Sequence, residues 1–455
     1  MSKILVKATK IAEVGRKVLH IGTFGVLFIA KFYFNALYHL PVICGLAVAF
    51  TSCSKKLKLL KEIERNTPSF GEIYYSISLL VLSTVTCFYK ELFPCLIIAF
   101  TALSLGDGFA SVFGNVLPNL KIKENKTLFG TIACVLFTFL GLTALRIFSV
   151  IDYDFLAIIT LSLCAGAFEL IGKGLDNFSV PFSVFILSTF IYLFGGEFTI
   201  SLLIATIVFF VAFLSKFITY YGALLASFIG FTFIYFGGVF PFLFLIGCYA
   251  LMLTVNLIRK LLKQDLSKVV DKTGGKDFFE ILVNGLFSTL AMILYGVFAD
   301  KVFIIVSLIC VSAGFTDSIA SDVGTLSKKP PFDIFKRKFV VKGISGGVTV
   351  LGTISSLISA LIFGLIIALI LDLDLALSPL VGLICFSGCV VDTILGSLIQ
   401  AKYRCPICGA NTEKRVCCNN ETVLYSGLKF VDNDLVNLFS SIVPFGLGFL
   451  FILCV

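Results

Sequence analysis

Apolar runs of about 20 residues, the length a helix needs to cross a bilayer, recur along nearly the whole chain. Nothing else in the sequence narrows the fold so far. Inside a bilayer the backbone amides and carbonyls have no water to bind, so a spanning segment is either a helix or a strand of a closed barrel. Barrel strands alternate apolar and polar residues, and a run such as TIACVLFTFLGLTAL at 131–145 does not. The expectation is an all-α, polytopic transmembrane protein with about 13–15 spans. They fall near 20–36, 36–53, 73–89, 92–113, 128–148, 155–171, 180–196, 198–215, 220–240, 240–260, 280–298, 301–320, 346–371, 377–399 and 435–455. Composition agrees: 58% of the 455 residues are hydrophobic and 14% are charged, against about a quarter charged in soluble domains.

The opening MSKILVKATKIAEVGRKVLH is too charged for the apolar core of a signal peptide. It reads as a basic amphipathic entry lying on the membrane surface. Within it Glu13, Arg16, Lys17 and His20 share one helical face, either as an interfacial anchor or as part of a substrate site. The formal charge of +9 is gathered into a few loops, around Lys55–Arg65, Lys121–Lys126, Arg259–Lys276 and Lys328–Lys342. The positive-inside rule makes those loops cytoplasmic, which accounts for most of the charge. No soluble basic domain is present to carry a nucleic-acid surface. Without a transit or retention signal, the expected location is a prokaryotic plasma membrane.

Most of the 15 cysteines lie in apolar segments, where a thiol behaves as a small hydrophobe. Four do not. Cys405-Pro-Ile-Cys408 followed by Cys417-Cys418 has the form of a small structural zinc knuckle in a polar loop. An adjacent pair differs from the usual second CxxC, so three or four of these thiols would ligate Zn²⁺.

The two halves of the chain resemble each other. GDGFASVFG at 106–114 is followed by KTLFGT at 126–131, and TDSIASDVG at 316–324 by KGISGGVTVLGT at 342–353. Each half then carries a second acid late in a span, Glu169 and Asp392, and an Asp-Asn pair, Asp176-Asn177 and Asp432-Asn433. Repeated halves are common in membrane proteins, and the boundary is placed near 198. Ionisable residues within spans are costly and mark function by default; Asp107, Glu169, Asp317, Asp322 and Asp392 all qualify. The small residues among them (Ser111, Gly114, Ser321 and Gly324) permit either close helix packing or close approach of a ligand.

A Lys followed by small residues at a helix start suits phosphate, through free N–H groups, the helix dipole and a point charge. Lys126 with Thr127 and Gly130 fills this role in the first half, and Lys342 with Gly343, Ser345 and Gly346 in the second. Asp107 and Asp317 would hold Mg²⁺ against phosphate oxygens. Together these are the parts required for phosphoryl transfer, with Glu169 or Asp392 placed to take a proton from an acceptor hydroxyl. No Walker A sequence is present. GISGG at 343–347 matches G-x-S-x-G, but the chain has only two histidines, His20 and His39, both far upstream, so a serine hydrolase is not indicated.

The first half resembles the dolichol kinase/phytol kinase family of CTP-using polyprenol kinases. The similarity rests on E-x-x-R-K-x-x-H at 13–20, FGEIYY at 70–75, GDGFASVFG, KTLFGT, Glu169 and DNFSVP at 176–181. KTLFGT taken singly also resembles part of a phosphatidate cytidylyltransferase signature. The second half resembles the phytyl-phosphate kinase family through GGKD at 274–277, VNG at 283–285, TDSIASDVG, KGISGGV, VDTILGSLIQA at 391–401 and DNDLVN at 432–437. Lys276-Asp277 stands where that family has Arg-Asp.

The resemblance implies that 1–197 makes a prenyl monophosphate from a prenyl alcohol and a nucleoside triphosphate, CTP in that family. It implies that 198–455 makes the diphosphate. Lys276 would join the phosphate-binding set, and Asn437 would join Asp432 and Asn433 at the second site. The loop 325–342 carries six basic residues against Asp333, where 115–126 carries three lysines against Glu124. Extra cations suit an acceptor that is itself a phosphate. A cytidylyltransferase acting on a lipid phosphate and a transporter with repeated halves are the alternatives. Prenol chain length and oligomeric state are not written in the sequence.

Overall fold

A computed structural model describes residues 71–116, 121–123, 126–172, 175–215, 218–261 and 276–454. The spans expected at 20–36 and 36–53 lie outside the described residues, as do Arg16, Lys17 and His20. Every other expected span is helical. The chain divides into two compact units, Met1–Ile207 and Val208–Val455.

In the first unit α1 (Gly71–Phe88) is followed by α2 (Phe93–Thr101), a π-helical turn at Ala102–Asp107 and α3 (Gly108–Val116). A short antiparallel pair, β1 (Lys121–Lys123) and β2 (Lys126–Thr127), leads into α4 (Leu128–Ile147) and α5 (Phe155–Ile171). The long α6 (Asp176–Leu214) breaks at Gly195, whose φ of 74° needs a residue without a Cβ. The two limbs of α6 correspond to the spans expected at 180–196 and 198–215, and the divide between the units falls in its second limb. Local chemistry sets the starts: Thr127 caps α4 by accepting from the Gly130 amide at 3.1 Å, and Asp154 caps α5 through Ala157 at 2.7 Å. Such caps are worth about 1 kcal/mol each.

The innermost segment of this unit is α2 with its π turn, buried from Cys95 through Leu103. Its neighbour α4 approaches through small residues. A Cβ on Gly141 would come within 2.7 Å of both Thr101 and Leu105. The outward face of α4 shows Ile132, Leu136 and Leu140 at helical spacing, each about half exposed. In a bilayer such a ridge meets lipid tails, which are as apolar as the side chains, so helix association rests on packing instead of water exclusion.

The second unit contains α7 (Tyr220–Thr232), a π turn at Phe233–Gly237, α8 (Val239–Leu261), α9 (Phe278–Phe298), α10 (Lys301–Thr325), α11 (Val350–Ile370), α12 (Ser378–Leu398) and α13 (Asn433–Cys454). Helix α10 is central, buried from Ile304 to Ala313, and packs against α8, α9, α11, α12 and α13. Among the described residues of both units, nine helical stretches are long and apolar enough to cross a membrane, and three shorter apolar helices accompany them.

Among the described residues, the β strands lie in connections. Between α10 and α11, β3 (Phe332–Asp333) is flanked by β4 (Lys338–Phe339) and β5 (Gly347–Val348). Between α12 and α13, β6 (Lys402–Arg404) lies between β10 (Val423–Ser426) and β7 (Asn411–Thr412), beside a hairpin of β8 (Val416–Cys417) and β9 (Asn420–Glu421).

The internal repeat is also a repeat of geometry. Thr349 caps α11 as Thr127 caps α4, with φ/ψ of −126°/148° and −127°/149°, and each accepts from the glycine three residues on at 3.1 Å. A Cβ on Gly114 would stand 3.6 Å from the Gly130 Cα, and one on Gly324 3.6 Å from the Gly352 Cα. A Cβ on Gly352 would meet the Ala320 carbonyl at 2.8 Å, and one on Gly130 the Ala110 carbonyl at 3.1 Å. The glycines and Ala of D-x-x-A-S-x-x-G thus let the helix that carries the motif touch the capped helix that follows. Gly352→Val is expected to destabilise the second unit by about 1–3 kcal/mol, the usual cost of overpacking, read as a lower thermal midpoint in detergent. Gly314→Ala, whose new methyl meets nothing nearer than 3.9 Å, is the matched control and should leave it unchanged.

Candidate functional site

The chain reverses between successive helices, by short turns at 299–300 and 371–377 and by long connections at 326–349 and 399–432, so in the second unit residues at the N-terminal ends of α9, α11 and α13 meet the C-terminal ends of α10 and α12. A cavity of about 870 Å³ opens there. From α10 it receives Asp317, Ser321, Asp322 and Gly324, and from the start of α11 Thr349 and Gly352. Helix α12 contributes Asp392 and Thr393, and α13 contributes Asp432, Asn433 and Asn437. Lys276, Glu280 and Asn284 follow one another every four residues from the α9 cap and line a third wall. Asp277 caps that helix through Glu280 at 2.9 Å, and Lys276 pairs with Glu280 at 3.2 Å. Lys276, just before the helix, and Asn284 of VNG therefore line one wall of the cavity.

Asp317 lies within interacting range of both the Cys389 thiol and the Asp392 carboxylate. Asp392 Oδ2 is shielded from solvent and has no hydrogen-bond partner. An orphaned carboxylate oxygen on a polar cavity, with a second carboxylate near it, fits a divalent cation with phosphate oxygens completing the shell.

Lys342 is a correction. It lines a smaller groove with Lys328, Lys338 and Tyr425 and is not part of the cavity wall. The helix after the glycines starts at Val350, with Thr349 as cap, so the residue in the position of Lys126 is Val348. The physical reason is the stretch between them. Gly343 and Gly346 take positive φ, 89° and 80°, and form a loop that ends in β5 before the helix begins. Gly343, Ser345 and Gly346 do line the cavity. The cations that face it are Lys276 and Arg415.

That loop is clamped from outside. The Ser345 amide donates to Glu413 Oε1 at 2.8 Å, and the Ser345 carbonyl accepts from Lys402 Nζ at 2.7 Å. A Cβ on Gly346 would strike the Ser397 backbone, so the loop rests directly on the end of α12. Asp333 ties the same corner. It is fully buried and accepts from the Ser397 hydroxyl at 2.6 Å and the Lys336 amide at 3.0 Å. Burial raises the Asp333 pKa, but these hydrogen bonds and the Lys402 and Lys336 charges more than offset it and hold the carboxyl below its ordinary range. The Lys402 amine is pulled down to about 8, chiefly by burial and then by Lys336.

The first unit presents the same elements in a closed form. Lys126 Nζ donates to Glu169 Oε1 at 2.5 Å and to Asp176 Oδ2 at 2.9 Å, and Thr131 Oγ1 donates to Glu169 Oε2 at 3.1 Å. Burial pulls the Lys126 pKa down, but Glu169 and Asp176 outweigh it and the net shift is upward, so the ammonium keeps its proton. Asp107 is buried at the end of the π turn and contributes to the field on Lys126. Asn177 Nδ2 donates to the Gly71 carbonyl at 2.8 Å, fixing the start of α6 to the start of α1. The thiols of Cys405, Cys408, Cys417 and Cys418 lie within 4.8 Å of one another.

Residues 203–444 match the family described as integral membrane protein DUF92. The chain belongs to that family. An uncharacterized membrane protein of Methanocaldococcus jannaschii is 29% identical to this DUF92 protein over 134 residues, 30% of this chain and 55% of the relative. The alignment thus spans little more than half of that relative's length. No solved structure matches. The family region contains the whole wall of the second cavity.

Sequence reasoning missed Glu413, Arg415, Lys402 and Ser397, and read Asp333 only as a charge offset. The one available signal was a lone acid among the six basic residues of 325–342.

Proposed function

We propose that this DUF92 protein is a bifunctional membrane kinase. The first unit phosphorylates a prenyl alcohol from a nucleoside triphosphate, CTP by the resemblance, and the second phosphorylates the resulting monophosphate. The observation that carries this reading is the second cavity. Carboxylates suited to Mg²⁺ stand on one side of it, the cations Lys276 and Arg415 line it, and a glycine loop runs beside a capped helix start. Its volume is in the range of small-molecule sites. Met252, Phe386 and Val390 give it an apolar wall where a prenyl chain can lie. The family match over 203–444 covers most of the segment that resembles phytyl-phosphate kinases.

In both steps an acceptor oxygen attacks the γ-phosphorus, the β–γ bridging P–O bond breaks and a nucleoside diphosphate leaves. Asp107 in one site, and Asp317 with Asp392 in the other, are the residues that would hold Mg²⁺, which neutralises charge on the transferring phosphate. The two acceptors differ in one respect. An alcohol must lose a proton, and the Glu169–Asp176 pair is placed to accept it. A phosphate monoester oxygen is already ionised and needs no base. That difference fits the second site, where among the described residues no lysine is paired with Asp392, which keeps an oxygen for metal. The monoester brings extra negative charge, which Lys276 and Arg415 can balance. The basic loops support a cytoplasmic orientation for both sites.

The test uses purified protein in detergent with geranylgeraniol, Mg²⁺ and CTP labelled on either the α- or the γ-phosphate. Label from the γ-position is expected first in a monophosphate and then in a diphosphate. Label entering lipid from the α-position would instead make this a cytidylyltransferase, and no label in lipid from either position would leave no kinase at all.

A further inference from the structure

We propose that Cys405, Cys408, Cys417 and Cys418 bind one Zn²⁺ as four thiolates, and that this ion tethers the Gly343–Gly347 loop over the second cavity. The metal and the tether stand independently of the kinase reading, since both are argued from the packing of a loop.

The sulfur geometry comes first. The Cys408 and Cys417 sulfurs are 4.0 Å apart, those of Cys417 and Cys418 3.9 Å, and all four lie within 4.8 Å of one another. A tetrahedron with Zn–S of about 2.3 Å sets its corners about 3.8 Å apart. All four thiols are free. The backbone is shaped to deliver them. Gly409 takes φ 70° and its amide donates to the Cys405 carbonyl at 3.0 Å, turning Cys408 back towards Cys405. Cys418 and Asn419 both take positive φ, 53° and 59°, in the two-residue turn joining β8 and β9. A non-glycine residue pays about 1–2 kcal/mol for that conformation. For Cys418 the cost brings its sulfur to the cluster.

The second observation is how little else holds this segment together. Its strands are two to four residues long, and Ile407, Val416 and Val423 are more than half exposed. Ala401, Tyr403, Cys405 and Val431 are its buried apolar residues among those described. So small a core cannot offset the entropy of ordering the chain, and segments of this kind require a staple. Four thiolates favour a soft, tetrahedral ion, and a closed set of four is the pattern of a structural zinc site.

The tether follows from what lies between the two cysteine pairs. Cys408 precedes β7 and Cys417 ends β8, so the connecting residues are fixed at both ends. They carry Glu413, which accepts from the Ser345 amide, and Arg415, which lines the cavity. Thr422 closes the same connection, donating its hydroxyl to the Lys414 carbonyl at 2.6 Å and its amide to the Arg415 carbonyl at 3.0 Å. On the other side of the knuckle Lys402 holds the Ser345 carbonyl. Zn²⁺ binding and the order of the glycine loop are therefore linked through both polar groups of one peptide residue.

The full chain, purified in detergent without chelator, should contain about one zinc per chain by elemental analysis. Cys408→Ser and Cys417→Ser should lose it. Because these variants could unfold the whole loop, the decisive measurement is hydrogen exchange on the native sequence before and after zinc is stripped by a thiol-selective chelator, and again after it is restored. Stripping should speed exchange at 343–347 and 411–417 at least tenfold, leave the membrane helices unchanged, and be reversed by zinc. Glu413→Gln should keep zinc yet speed exchange at Ser345. Absence of metal, or iron in its place, would overturn the zinc site. Zinc whose removal leaves exchange at Ser345 unaltered would overturn the tether. Neither readout depends on turnover, so failure of the kinase assignment is distinguishable from failure here.

Discussion

Asp317→Ala is expected to stop diphosphate formation and leave prenyl monophosphate to accumulate. The residue sits at the junction of α10 with the cavity, within interacting range of Asp392. On the proposed assignment, removing it would halve the carboxylate pair available to a divalent ion offsetting the charge of two phosphate groups. Losing one electrostatic contact of this kind costs about a hundredfold to a thousandfold in rate. The first unit has its own acids, so conversion of alcohol to monophosphate should persist at close to the normal rate. Product analysis by chromatography reads both steps in one reaction. An Asp317→Ala enzyme that makes diphosphate at the normal rate would refute the assignment of a second site to this cavity.

Lys126→Ala should have a structural as well as a chemical effect. The ammonium is the shared partner of Glu169 and Asp176. Without it two carboxylates remain together in a largely buried place. Breaking a buried ion pair on one side costs about 3–5 kcal/mol, and the loss should appear as a lower thermal midpoint together with loss of monophosphate synthesis. Supplied monophosphate should still become diphosphate. The triple change Lys126→Met, Glu169→Met, Asp176→Leu separates the two effects. Replacing all the charges by apolar groups is expected to restore most of the stability while activity stays absent. A single Lys126→Ala variant that keeps both its stability and its first phosphorylation would show that the cluster is neither a structural nor a catalytic element.

These two predictions differ because the two sites diverged at one position. Lys126 and Val348 occupy the same place before equivalent capping threonines, Thr127 and Thr349. One unit therefore contains a cluster of three charges joined by direct hydrogen bonds, and the other an open cavity with Val348 in the lysine's place. The sequence made the repeat visible through D-x-x-A-S-x-x-G, in which the Ala and the last Gly lie against the glycine of the next helix, Gly130 in one unit and Gly352 in the other. It also pointed to Lys342, since a basic residue before glycines reads as a helix start. The intervening loop could not be counted correctly from sequence. Its length depends on the positive-φ glycines and on β5, which pairs with a strand more than ten residues earlier.

By itself the sequence determined the membrane architecture, the helices that cross it and the acids within them. Those features follow from the bilayer: a solvent that cannot hydrogen-bond the backbone leaves one solution per apolar run, and it makes every charge inside conspicuous. Only the tertiary structure decided which extramembrane residues belong to the second site. Asp333, Lys402, Glu413 and Arg415 lie in the connections between helices, where charged residues are common and carry no periodicity, and Asp333 and Lys402 are buried only once those connections fold. Their roles come from contacts such as Ser345 to Glu413, across 68 positions of chain, which local pattern does not encode.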